Sequence, residues 1–163
     1  MCKAISNTSP LLYLHCIGVL EWLPKLFDEI WTPPAVVAEL QAGRERGYNV
    51  PNPSEYSWLQ IVEPDSVPSE WLVLDLGTGE LEAMALALEH PTRVVLLDDA
   101  LARRIAQAAG LEVWGTLRVL LEGKSEGLTE RIEPLIGRLK KSGMWISDGV
   151  QQRVLALAGE KQR

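Results

Sequence analysis

Asp98 and Asp99 follow directly on Val94-Val95-Leu96-Leu97, the most continuous short apolar run in the chain. A run of this kind, read as a strand over Arg93–Leu97, predicts burial on both faces, as in a parallel sheet flanked by helices. Such a strand delivers two carboxylates to the end of the sheet. In open α/β sheets ligands bind beyond the carboxyl ends of the strands. Asn7, Glu39, Glu80 and Thr116 fall at comparable places, at strand ends or on the helices that start there. A set of oxygen donors in such a crevice suits Mg²⁺ or Mn²⁺, which favour carboxylate and water over nitrogen or sulfur. A cation held that way can activate water and offset the charge of a phosphodiester during hydrolysis.

Taken singly, each residue has a quieter reading. Asp98 or Asp99 would cap a helix beginning at Ala100, and Asn7 and Ser9 would cap one beginning near Pro10. Glu80 sits where a first-turn acid favours the helix dipole. Glu39, beside Leu40, would be a solvated surface residue.

The elements that must position these groups alternate between short β-rich runs and longer helical patterns, which predicts βαβ units. Strands are expected at Lys3–Ser6, Glu29–Trp31, Trp58–Val62 (an edge candidate), Arg93–Leu97 and Leu111–Trp114. Helices are expected at Leu11–Phe27 (one, or two broken at Gly18 and Pro24), Ala35–Ala42, Leu81–Glu89 and Ala100–Ala109. A further helix opens at Gly115-Thr116, and two more cover Glu130–Lys141 and Ser147–Ala158. Residues 43–57, rich in Gly, Pro, Asn and Ser, predict a loop long enough to be functional or mobile. No repeat or second domain is evident, so a single domain over 1–163 is expected, with C-terminal helices at about 129–159.

The charge balance, 16 basic against 22 acidic residues, gives a net −6 and excludes a broadly basic nucleic-acid footprint. A nucleic-acid partner would need a metal or a local Lys/Arg cluster; Arg44, Arg46, Arg103 and Arg104 are the candidates. Cys2, Cys16, His15 and His90 match no zinc spacing. With no long apolar span and no signal-peptide pattern, a cytoplasmic, reducing setting without membrane contact is expected. Gly77-Thr78-Gly79 is no dinucleotide fingerprint, because Glu82 stands where the third glycine belongs, and no Gly-Lys-Ser/Thr follows. Ser6 and Ser9 lack a nucleophile-elbow context.

ISNTSPL, PPAVVAEL, LGTGELEAMALALE, VVLLDDALARRIA and LEVWGTLRVLL together resemble the PIN-like proteins of the DUF3368 type, over about residues 4–159. The resemblance implies a three-layer α/β/α fold with a central parallel sheet of about four to five strands. It implies a catalytic group drawn from Asn7, Glu39, Glu80, Asp98 and Asp99. The acids Glu39, Glu80 and Asp98 or Asp99 would hold Mg²⁺ or Mn²⁺, and Asn7 stands where most such nucleases carry their first aspartate. Ser9, Thr116, Arg44, Arg46 and Arg103 would contact substrate. The implied activity is that of a metal-dependent ribonuclease of the toxin–antitoxin kind, VapC-like, acting on single-stranded RNA. Its implied partners are a small antitoxin and a second copy of the chain. Because Asn7 brings no charge, the alternative is a non-catalytic PIN-like module that binds RNA or protein.

The apolar residues of the C-terminal segment, Met144 to Ile146 with Val150, Val154 and Leu157, are expected chiefly to pack into the core. A dimer or antitoxin surface is the second reading.

Overall fold

The computed structural model describes residues 2–160; residue 1 and residues 161–163, the ends of the expected 1–163 domain, lie outside the described residues. Five strands form one sheet: β1 (Cys2–Ser6), β2 (Phe27–Thr32), β3 (Leu59–Ile61), β4 (Val94–Leu96) and β5 (Val113–Trp114). Their order is β3-β2-β1-β4-β5, and every pairing is parallel. The chain builds outward from β1 to β2 and β3, then returns to the opposite side of β1 to lay down β4 and β5. The switch point, where such sheets open a crevice, therefore lies between β1 and β4. Asn7 and Asp98-Asp99 follow those two strands.

Side-chain alternation sorts the strands onto two cores. Ala4, Ile30, Val94, Leu96 and Trp114 face a layer that includes Leu11, Leu14, Val119, Leu120 and Ile136. Ile5, Val95 and Leu97 face the other, built on Leu81, Met84, Leu86 and Ala102. The helices behind these layers are α1 (Thr8–Cys16), α2 (Leu23–Leu26), α3 (Pro34–Glu45), α4 (Thr78–Glu89), α5 (Ala100–Ala108), α6 (Thr116–Ser125), α7 (Glu133–Lys141) and α8 (Asp148–Leu157).

The segment expected as helix over Leu11–Phe27 is divided. Gly18 takes φ 78°, the left-handed conformation that ends α1, and its N–H bonds back to His15. A 3₁₀ turn, Leu20–Trp22, leads into α2, where Pro24 sits in the first turn and no N–H is needed. Phe27 already belongs to β2, pairs with Cys2 and packs on Trp114 with ring centroids 5.2 Å apart. Helix α3 runs on past the expected end at Ala42, to Glu45. The Trp58–Val62 expectation shrinks to β3, at the sheet edge.

At the C-terminus Ile146 and Val154 join the core, whereas Trp145 and Leu157 are exposed at 85% and 74%. Glu160 closes this end: it accepts the Ile132 and Glu133 N–H groups at 2.8 and 3.1 Å and pairs with Lys124 at 2.9 Å. No described helix is long and apolar enough to cross a membrane.

Candidate active site

Glu39 lies in the second turn of α3, whose start is fixed by Pro34 and by the Ala35 N–H, which donates to Glu82 of α4 at 3.2 Å. From there its carboxylate reaches the N-terminus of α4. Glu39 Oε1 accepts the Gly79 N–H at 3.0 Å, and Oε2 accepts the Thr8 hydroxyl. Gly77, the N-cap of α4, offers no side-chain cap, so an acid from another helix does that work. The fit requires a glycine: a Cβ on Gly79 would come within 2.8 Å of both Glu39 oxygens.

Glu80 is the next residue of α4. Its Oε2 is buried and has no hydrogen-bond partner. Burial, then the charges of Asp99, Glu39 and Asp75, push its carboxyl up to about 7. These four acids therefore share one electrostatic neighbourhood. Asp75, on the exposed loop before Gly77, is absent from the sequence expectation. Its only local signal was nearness to Gly77-Thr78-Gly79, a motif with no phosphate-loop character.

The two aspartates divide their tasks. Asp99 is the N-cap of α5 and accepts the Ala102 N–H at 2.9 Å; it is also the charge that acts most strongly on Glu80. Asp98 instead accepts the Thr116 N–H at 2.8 Å and the Thr116 hydroxyl at 2.7 Å, tying β4 to the start of α6. Burial raises the Asp98 carboxyl, while the two Thr116 bonds and the Arg103 guanidinium pull it back. Arg103 crowds Gly115, where a Cβ would meet its Nη1 at 2.6 Å. Tyr13, raised by burial and then by the Asp98 charge, shares this side of the site and is missing from the sequence expectation.

Asn7 is 3% exposed, and its N–H bonds across the sheet to Leu96 O at 3.1 Å. It occupies the N-cap position of α1 but makes no side-chain cap, and its Oδ1 is buried without a partner. The capping role considered for Asn7 is thus not the one its side chain adopts. Ser9 lies half-buried in the first turn of α1. Thr116 is fully buried with its hydroxyl committed to Asp98, so it positions an acid instead of presenting a hydroxyl to a substrate. Arg44 donates to Pro51 O at 3.1 Å and braces the following loop. Arg46 is exposed at the end of α3, away from the aspartates in sequence and element. Arg103 lines a groove of about 390 Å³ with Asp98, Arg104 and Gln107.

Among the described residues no three His, Cys, Asp or Glu side chains are disposed to hold a metal ion. Glu39, Glu80, Asp98 and Asp99 therefore do not form a ready-made cluster, and Asp98 and Glu39 each accept two hydrogen bonds from protein donors. The donor chemistry nonetheless fits Mg²⁺ or Mn²⁺. All candidate atoms are hard oxygens, and two of them, Glu80 Oε2 and Asn7 Oδ1, are buried and unpartnered. Mg²⁺ keeps several waters and takes only one or two carboxylates besides substrate phosphates.

The model of the DUF3368 family, a PIN domain, matches residues 3–160. The chain belongs to this family. PIN domains are generally nucleases and typically use divalent metal ions. Among solved structures, the chain is similar to a PilT N-terminus domain protein from the archaeon Sulfolobus solfataricus P2. The TM-score is 0.55 at 15% identity, covering 74% of this chain and 92% of that one. A domain of a functionally unknown protein from Methanocaldococcus jannaschii DSM 2661 aligns with TM-score 0.47 and 20% identity, covering 71% and 91%. No curated protein matches the chain. The first of these likenesses agrees with the five-stranded parallel sheet flanked by helices, the PIN-like α/β architecture expected from the sequence.

Proposed function

We propose that this PIN domain is a divalent-metal-dependent endoribonuclease that cuts single-stranded RNA, of the toxin kind that pairs with a small antitoxin in the cytoplasm. The observation that carries the reading is Glu80: a buried, unpartnered carboxylate oxygen held among Asp99, Glu39 and Asp75 at the start of α4. An acid raised this far by desolvation and like charges is a group waiting for a proton or a cation. Glu80 and Asp99 would hold the metal, with Glu39 and the Asn7 carbonyl beside them. Bound there, Mg²⁺ or Mn²⁺ would activate water and offset charge on the phosphodiester.

The protein's own residues do the rest. Glu39, fixed by Gly79 and Thr8, keeps the α4 terminus in place. Thr116 holds Asp98, and Arg103 beside it offers a cation to a neighbouring phosphate. Glu39 also lines a second groove, of about 560 Å³, with Pro34, Ala38 and Thr78, which gives an extended strand room on either side of the acids. Exposed Trp145, Val150 and Leu157 supply an apolar surface for an antitoxin or a second copy.

The test is cleavage of an unstructured RNA with Mn²⁺. Cutting that survives in both Glu80→Gln and Asp99→Asn would sink the proposal.

Asn7 motivates a second reading, a non-catalytic RNA- or protein-binding module, because this site carries an amide where a further acid would complete the ligand set. Calorimetry that finds no heat with Mn²⁺, alongside retained RNA binding, would select it.

A further inference from the structure

Glu39 and Thr8, which belong to the acidic site, also form one end of a groove of about 400 Å³. Its other lining residues include the half-buried Leu12 and Val50, the buried Leu40, and Cys16, Tyr48, Asn49 and Ser142. The wall carrying Tyr48 is the loop after α3, and it is tied down at several points. Gly47, at φ 84°, ends the helix, and the Tyr48 N–H returns to Gly43 O at 3.0 Å. Arg44 holds Pro51 O, and Val50 packs so closely on Gly43 that a Cβ there would meet it at 3.3 Å. The first part of the loop expected from sequence over residues 43–57 is thus tied to α3, and it displays a tyrosine that remains 66% exposed. Asn49 gives its side-chain oxygen to His15 at 3.1 Å, which leaves its amide NH₂ free to donate.

We infer that this groove is a nucleobase subsite, in which a base next to the scissile phosphate lies against the half-buried Leu12 and Val50 and stacks on Tyr48. The inference rests on the ribonuclease reading, since the groove opens from the same Glu39. An aromatic face beside apolar walls takes a base of any identity, while one polar donor at the margin biases the choice. A strand so anchored is held by its base, which matters in a protein whose net charge of −6 gives RNA little general attraction.

The test uses oligoadenylate and oligouridylate RNA in Mg²⁺, in the Glu80→Gln background so that the strand survives. Tyr48→Ala is expected to weaken binding about ten-fold, equivalent to about 1.4 kcal/mol and within the range for one stacked base. Tyr48→Phe is expected to bind within about two-fold of the parent, since the ring is kept.

A second measurement does not depend on substitution in the groove. RNA should slow alkylation of Cys16, a free exposed thiol in the wall, and leave exposed Cys2 unaffected. Unchanged affinity in Tyr48→Ala, with no protection of Cys16, overturns the subsite even if the parent cuts RNA, and leaves the nuclease reading standing. Tyr48-dependent binding and Cys16 protection in a parent that never cuts RNA uphold the subsite while the nuclease reading fails. If Tyr48→Ala leaves RNA binding intact but abolishes self-association or antitoxin binding in light scattering, the groove is a protein-docking surface and the inference is overturned.

Discussion

Glu39, on α3, accepts the N–H of Gly79, on α4, at 3.0 Å, and so an acid from one helix caps the start of another. The contact spans 40 positions of sequence and brings Glu39 and Glu80 to the same end of the sheet. Because a Cβ at position 79 would lie 2.8 Å from both Glu39 oxygens, Gly79→Ala should displace that carboxylate. Alanine is the better helix former by about 1 kcal/mol, which offsets the lost bond. The expected outcome is a melting temperature little changed and Mn²⁺-dependent cleavage reduced at least ten-fold. Unaltered cleavage would show that the position of Glu39 does not matter to the chemistry.

Glu80 supplies a pH signature. Its folded pKa of about 7 lies above the unfolded carboxylate value, so the fold favours the protonated form. Its contribution to stability is full below the unfolded pKa and is lost as pH rises through about 7. In metal-free buffer, Glu80→Gln should therefore gain stability over the parent at pH 8 and not at pH 5, as read from urea midpoints. Identical pH dependence in the two proteins would remove Glu80 as the strained acid.

The same linkage predicts that Mn²⁺ binding releases a proton below pH 7 and tightens as pH rises. Calorimetry at pH 6 in two buffers of different ionisation enthalpy measures that proton directly. Heat independent of the buffer would mean that no raised carboxyl lies at the metal.

Thr116→Val removes the hydroxyl that donates to Asp98 and keeps the side-chain shape. Thr116 is fully buried, so the loss leaves a buried acid with one donor fewer and should cost about 1–3 kcal/mol. Thr116→Ser, which keeps the hydroxyl, should recover most of it. The comparison is made by chemical denaturation, and equal stability of the valine and serine variants would refute a structural role for the bond.

Asn7→Asp places a carboxylate where an amide oxygen is now buried without a partner. Without metal the variant should melt several degrees lower, because an ionised acid at a site 3% exposed, where the present oxygen has no hydrogen-bond partner, loses its hydration. With Mn²⁺ the order should reverse, with a larger metal-induced rise in melting temperature than in the parent. A variant with no greater response to Mn²⁺ would place Asn7 outside the metal's reach.

The sequence by itself determined the framework. The run Val94 to Leu97 reads best as a strand buried on both faces, and the alternation of such runs with amphipathic segments predicts a parallel sheet with its acids at the strand ends. Local chemistry set many boundaries too, including Gly18 ending α1 and Ser147 capping α8. Where local signals conflicted, as over Leu11–Phe27, the pairing of Phe27 with Cys2 and its packing on Trp114 drew the residue into β2.

Tertiary structure alone decided what each polar group does. Asp98 and Asp99 are equivalent in sequence, yet one serves Thr116, eighteen residues away, and the other caps its own helix beside Glu80. Asn7 has the type and place of a cap and makes none. Asp75 enters the acidic neighbourhood from a loop that carries no periodic signal. The physical reason is common to all three: apolar periodicity is a local property that specifies an element, whereas a carboxylate's partner and charge depend on which donors the finished packing brings within about 3 Å.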